Sequence, residues 1–217
     1  AQMTRGKTER TVAYAISAIA TTLMKFAADC CLFMSQNFRF IELPNEFTTG
    51  SSIMPHKKNP DVFELMRGKC NKLQAIPNEL ASIMGNLTSG YFRDLQLLKE
   101  KYIYAFTEIK SCLEIALLMV PNIKVKQGIL DDNIYDYLFS VEEVNRRVLD
   151  GIPFRDAYKQ VGLEIEKGIF KPNKEIFHTH EGSIGNLCTQ EIKNKMLRNT
   201  AKIDASKINT AISKLLY

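Results

Sequence analysis

The stretch Thr49-Gly50-Ser51-Ser52-Ile53-Met54-Pro55-His56-Lys57-Lys58-Asn59-Pro60-Asp61 decides how the rest of the chain is read. Apolar helical sequence lies on both sides of it, yet the stretch itself does not suit a helix. Gly50 permits a turn, Pro55 lacks an N–H and biases Met54 away from helical angles, and Pro60 does the same to Asn59. Hydroxyls, ammonium groups and an amide crowd a segment that composition alone marks as a surface loop. Loops carried on a rigid scaffold are where chemistry concentrates. A purely structural reading makes Asn59 an N-cap, Pro60 the first helical residue and Asp61 a partner for the helix dipole. That accounts for Asn59-Pro60-Asp61, but gives no reason for Gly-Ser-Ser followed by Met-Pro-x-Lys.

Upstream, Thr8 to about Asn37 reads as one long helix in which Val12, Ile16, Ile19, Leu23, Phe26, Ala27 and Cys30 keep the helical period. It is nearly apolar all round from Val12 to Met24, the pattern of a helix buried on every side. Lys25 and Asp29 interrupt the run, so a membrane span is not expected. Downstream, Asp61 to about Gly85 forms a second helix with Pro77 as a predicted kink, and Tyr91 to Met119 a third, ended by Pro121. Beyond Pro121 the expected helices shorten: about Asn133–Leu149, Phe154–Lys167 and Asp204–Leu216, with weaker helix between Glu175 and Asn199. Gly151-Ile152-Pro153 is a clean stop and restart. No strand pattern or repeat is visible. The expected class is all-α: a long-helix bundle over residues 1–121, carrying the loop at 49–61, then a small helical C-terminal domain over 122–217.

The bulk properties narrow the function. A net charge of +5 with a pI near 8.9 is mild and scattered, and Trp is absent. No aromatic-interleaved basic stripe marks a nucleic-acid partner, whereas an anionic small molecule suits this charge. Five cysteines, an odd number without framework or zinc spacing, fit a reduced, cytoplasmic protein with thiols acting as small hydrophobes. His178-x-His180 lacks a partner at ligand spacing, so neither a metal nor a cofactor is expected.

Gly50-Ser51-Ser52-Ile53-Met54-Pro55-x-Lys57-x-Asn59 resembles the signature loop of the fumarase/aspartase superfamily, whose members break a C–N or C–O bond and release fumarate. The flanks narrow it. Lys57-Lys58-Asn59-Pro60-Asp61-Val62-Phe63-Glu64-Leu65-Met66-Arg67-Gly68-Lys69 and Tyr91-x-x-Asp94-Leu95-Gln96-x-x-Lys99-Glu100 are similar to the argininosuccinate lyase family, as is Gly151-Ile152-Pro153-Phe154-Arg155-Asp156-Ala157-Tyr158. The likeness spans roughly residues 1–165 and weakens beyond, and it implies the C-terminal half of a chain about twice this length.

The resemblance implies reversible elimination of argininosuccinate to arginine and fumarate in arginine biosynthesis, by a homotetramer whose active sites draw on several subunits. Under it Ser51 corresponds to the base, Lys57 to the residue that stabilises the carbanion, and Glu64 to the carboxylate that orients a histidine absent from this chain. Asn59, Tyr91, Gln96 and Lys99 correspond to substrate contacts. Each has a plainer reading: a turn serine, a solvated lysine, an N-cap amide, a first-turn carboxylate. Tyr91, Gln96 and Lys99 at i, i+5 and i+8 do not share one helical face, so either Tyr91 precedes the helix or the three serve different sites. Alternatives are another superfamily lyase acting on adenylosuccinate or aspartate, a non-catalytic crystallin-like structural protein on the same bundle, or an unrelated helical interaction module.

Overall fold

Small residues give the first helix its packing face. The computed structural model describes residues 4–50, 53–54, 56–176 and 178–216, and in it α1 runs Lys7–Phe33. Ala13, Ile16, Ala20, Ala27 and Cys30 are its buried positions, at spacings that share one side of a helix. α2 (Asp61–Met84) presents Phe63, Met66, Cys70, Leu73, Ile76 and Leu80 to that stripe and to α3. Near one end Phe26 meets Phe63 edge-on with ring centroids 5.8 Å apart. At the other end Gly6 lies against Met84 and Leu98, so α1 and α2 run antiparallel. Gly6 sits at φ 88°, and a methyl group there would run into Met84, so both backbone and space call for glycine. α3 (Leu98–Met119) completes the bundle with Leu98, Ala105, Ile109, Cys112 and Met119. Pro77 lies inside α2 and is buried.

The all-α expectation holds, with local differences. Gly90 at φ 135° and extended Phe92 delay the third helix, so the chain passes through a 3-10 segment, Arg93–Gln96, before α3 begins at Leu98. The helix expected over Asn133–Leu149 divides in two. Asp132 accepts a 3.0 Å bond from the Ile134 N–H and opens a 3-10 turn to Phe139, after which α4 runs Ser140–Leu149. Two small antiparallel ladders were not expected: β1 (Ile41–Glu42) with β4 (Lys124–Val125), and β2 (Thr49–Gly50) with β3 (Lys58–Asn59). Two-residue strands are too short to leave an alternating pattern.

The expectation that α1 is buried on every side fails within this single chain. Tyr14 is 50% and Ile19 43% exposed, and Ile103, Phe106 and Leu117 stand exposed on α3. The membrane argument also needs correction, because α1 is by length and composition long and apolar enough to cross a bilayer. What it does in this fold is pack its stripe into the core with α2 and α3.

The chain divides into two compact units, Ala1–Ile129 and Leu130–Tyr217. The division falls after Ile129 instead of near residue 122 because the β1–β4 ladder holds Lys124–Val125 to the first unit. In the second unit α4 and α5 (Phe154–Glu166) pack around Val144, Ala157, Val161 and Phe170. Gly151 at φ 95° reverses the chain between them. α6 (Thr189–Thr200) and α7 (Ser206–Leu216) follow.

Glu143, 7% exposed, ties α4 to α5. It bonds Arg146 at 2.6 Å and Arg147 at 3.0 Å, and Arg147 continues to Glu164 on α5 at 2.7 Å. The bond from Arg146, opposed by burial and reinforced by Arg147, holds the Glu143 carboxyl below its ordinary range. A depressed folded-state value stabilises above the unfolded-state value of about 4.3, and that stabilisation disappears as pH falls through the folded value. Glu143→Gln is therefore expected to lower the stability of this unit at pH 7 by about 3 kcal/mol and to flatten its acid limb. This is the low end for a broken buried pair, since Arg146 is half-exposed. Melting curves between pH 3 and pH 7 check it. Equal stability at neutral pH would show that the network does not hold the two helices.

Candidate active site

The signature loop is anchored at both ends. Thr49 pairs with Asn59 and Gly50 with Lys58, and the Thr49 hydroxyl bonds the Asp61 carboxylate at the start of α2. Within the loop the Lys57 N–H donates to the Met54 carbonyl at 3.0 Å. Ser51 lies outside the described residues, as do Ser52 and Pro55. The capping expectation for Asn59 is corrected: Pro60 is the N-cap of α2, no side chain caps that end, and Asn59 belongs to β3. Its amide is thus free of the helix-capping task that competed with ligand contact.

Lys57, Asn59 and Glu64 come together along one groove of about 790 Å³. The end of α1 and the turn that follows it, from Cys31 to Gln36, form one wall, and β1 and the loop form others. Sequence reasoning missed two further cationic side chains here, Arg39 and Lys126. Lys126 arrives because its N–H donates to the Phe40 carbonyl at 2.9 Å, continuing the β1–β4 pairing. Only the ladder, which carried no sequence signal, places residue 126 beside residue 40. His56 also lines the groove.

Tyr91, Gln96 and Lys99 form a second group at the far end of α2. Tyr91 precedes the helix, which settles the spacing problem, and Gln96 Nε2 donates to its hydroxyl at 3.2 Å. The Arg5 guanidinium lies over the Tyr91 ring, 4.8 Å from its centroid. The bond from Gln96 and then that from Arg5 lower the Tyr91 phenol below its ordinary value against the opposition of desolvation, and the charges of Arg5 and Lys99 help less. Within one chain this group and the groove are separated by the 24 residues of α2, about 36 Å of helix.

The remaining reactive side chains behave as structure. All five cysteines are free thiols. Burial pushes Cys30 up to about 11 and Cys70 up to about 12, away from reactive thiolate. In the second unit His178 Nε2 sits 3.0 Å from Glu142 Oε1, and the His180 ring stacks on His178 at 5.4 Å. No group of three metal-ligating side chains occurs among the described residues.

A lyase family model matches residues 8–75, the span of α1, the loop and the first half of α2. The argininosuccinate lyase of Parabacteroides distasonis is 60% identical over all 217 residues, which is 49% of its own length. That of Phocaeicola vulgatus is 62% identical over 196 residues, or 90% of this chain and 44% of the relative. The argininosuccinate lyase of Thermotoga neapolitana is 39% identical over 160 residues, 74% of this chain and 40% of that one. In the first of these the match extends past residue 165 over the whole chain, whereas the more distant one matches over 160 residues. The chain spans about half the length of the curated relatives it matches, and these shares lend no support to the expectation that it is specifically the C-terminal half. Among solved structures, 3-carboxy-cis,cis-muconate lactonizing enzyme from Pseudomonas putida superposes with a TM-score of 0.62 at 18% identity, over 77% of this chain and 38% of that one. EDDS lyase in complex with formate gives 0.51 at 22%, over 72% and 32%. Those two show the helical fold alone. Identity of 60% along its whole length puts this chain in the argininosuccinate lyase family.

Proposed function

We propose that residues 1–217 are part of an enzyme that eliminates arginine from argininosuccinate to leave fumarate, serving arginine biosynthesis in the cytoplasm without a cofactor. The observation that carries this reading is the groove, where the backbone-anchored loop sets Lys57 and Asn59 beside Glu64 in a chain so similar to lyases of that name. In the reaction a base removes the proton from the carbon next to a carboxylate. The electron pair spreads onto that carboxylate as a doubled-up anion, and its collapse breaks the C–N bond to the leaving guanidinium. Ser51 takes the proton; Lys57 supplies fixed positive charge where the anion grows; Asn59 holds a carboxylate; Glu64 orients an acid–base partner from elsewhere in the assembly.

The first unit is read as the central bundle and the second as the small C-terminal domain of such a lyase. Tyr91, Gln96 and Lys99 bind substrate as well, but about 36 Å of helix separates them from the groove of the same chain. One small substrate cannot touch both groups, so the site is shared between copies. The exposed Tyr14, Ile103, Phe106 and Leu117 are the faces those copies cover, in a homotetramer. Neither nucleic acid nor membrane is a partner in this reading.

Fumarate release from argininosuccinate by the whole protein, followed by absorbance, tests the reading. Release from adenylosuccinate or aspartate instead would move it to another member of the superfamily. No release from any of them, from a folded oligomer, would favour a structural protein on the same bundle.

A further inference from the structure

We infer that Arg39 and Lys126 form a second anion subsite of the groove, holding a substrate carboxylate away from the carbon that Lys57 serves. The inference rests on the lyase reading above for its substrate, and on the geometry of the groove for its residues.

Arg39 occupies φ 49°, the left-handed region, although it is not glycine. For an ordinary residue that conformation costs roughly 1–2 kcal/mol, and glycine or asparagine would meet the backbone need better. The turn itself is well specified: the Arg39 N–H donates to the Ser35 carbonyl at 2.9 Å and the Phe40 N–H to the Phe33 carbonyl at 2.9 Å. The backbone thus holds an arginine where chain geometry alone would select against one. Strained non-glycine positions of this kind cluster where a side chain has a task.

Lys126 is brought to the same place by its 2.9 Å bond to the carbonyl of Phe40, the residue after Arg39. Both side chains line the groove, and neither has an ion-pair partner among the described residues. With Lys57 and Lys58 they make four cations in one cleft against the two carboxylates of Glu42 and Glu64, which likewise make no ion pair among the described residues. Like charges gathered in a cleft repel when it is empty and are relieved by an anionic occupant. The succinyl end of the proposed substrate is dianionic. Lys57 answers the carboxylate on which charge grows, which leaves the second carboxylate for a separate pair of cations. An arginine fork can take it bidentately, and a lysine adds a point charge.

The test uses the whole protein with Arg39→Asn, Lys126→Gln and Lys126→Arg. Asparagine accepts the left-handed backbone and removes the charge together with the reach of the arginine side chain. Arg39→Asn and Lys126→Gln are expected to raise KM for argininosuccinate about tenfold or more with kcat changed less than about threefold, and to weaken calorimetric binding of succinate by a similar factor. Lys126→Arg is expected to recover most of the loss, and the melting temperature of Arg39→Asn to stay at or above that of the parent. Unchanged KM and unchanged succinate affinity in both charge-removing variants would overturn the subsite, as would a fall in kcat alone. Should Lys126→Gln fail to fold, Arg39→Asn decides alone. If the parent binds succinate but releases no fumarate, the lyase reading falls, and the succinate affinities of the variants still decide the subsite. If the parent is an active lyase and the variants match it, only the subsite is lost.

Discussion

Ser51→Ala in the whole protein is expected to lower kcat by about 10²–10⁴-fold while KM for argininosuccinate moves little. A serine hydroxyl is too weak an acid to lose its proton unaided near neutrality, so its use as a base depends on the positive charge around it. Under the proposed reading that charge comes from the lysines of the same loop. Gly50, which directly precedes Ser51, is paired with Lys58, and Lys57 is held in the same loop by its bond to Met54. The hydroxyl matters most while the proton is moving, so its loss falls on the transition state more than on the bound ground state. Steady-state fumarate kinetics on the parent and the variant check this, with succinate binding as the control for an intact groove. A Ser51→Ala enzyme with kcat near that of the parent would place the base elsewhere.

Much of the bundle can be read in the sequence because its punctuation is local. Pro60 and Asp61 start α2 and Gly85 stops it, within a residue of where the helix runs. The buried stripe of α1 was legible as a period, but its smallest members were undervalued. Ala13 and Ala20 are buried, while Ile19, expected on the packed face, is 43% exposed. An apolar run that is hydrophobic all round does not say which side meets its own chain and which is left over. Lys57, Asn59 and Glu64 are close in sequence, so one loop and one helical turn bring them to one groove. Arg39 and Lys126 were not legible there. The first depends on a left-handed residue that no glycine or asparagine announces, and the second on a two-residue ladder between segments far apart in the chain. Tyr91 meets Gln96 because Gly90 and Phe92 hold the chain extended before α3, and the glycine was the one local sign of it.

Residues 1–217 as an isolated chain are expected to release no fumarate, and activity is expected to return when the rest of the full-length lyase is supplied as a separate polypeptide. The elimination needs a base, fixed positive charge for the growing anion, and groups that hold the far ends of the substrate. In the proposed reading this chain offers Ser51 and Lys57 for the first two. Its three histidines are His56 on the loop and the pair His178 and His180 in the second unit, and in the proposed reading none of them is the acid–base group that Glu64 orients. The chain spans 49% of a 60% identical lyase, and in the proposed reading the groups that complete the site come from outside these residues. Groups that act as a unit are lost together, by orders of magnitude and not by a fraction. Assembly bears on it too: Tyr14, Ile103, Phe106 and Leu117 stand exposed on α1 and α3, and in the proposed reading other copies cover them. Mixing the two purified polypeptides and following fumarate absorbance, beside the sedimentation of each alone and of the mixture, reads both effects. Turnover by the 217-residue chain alone would mean that its own residues furnish the missing acid–base group. A mixture that assembles but stays silent would mean that the split, and not a missing group, is what abolishes the chemistry.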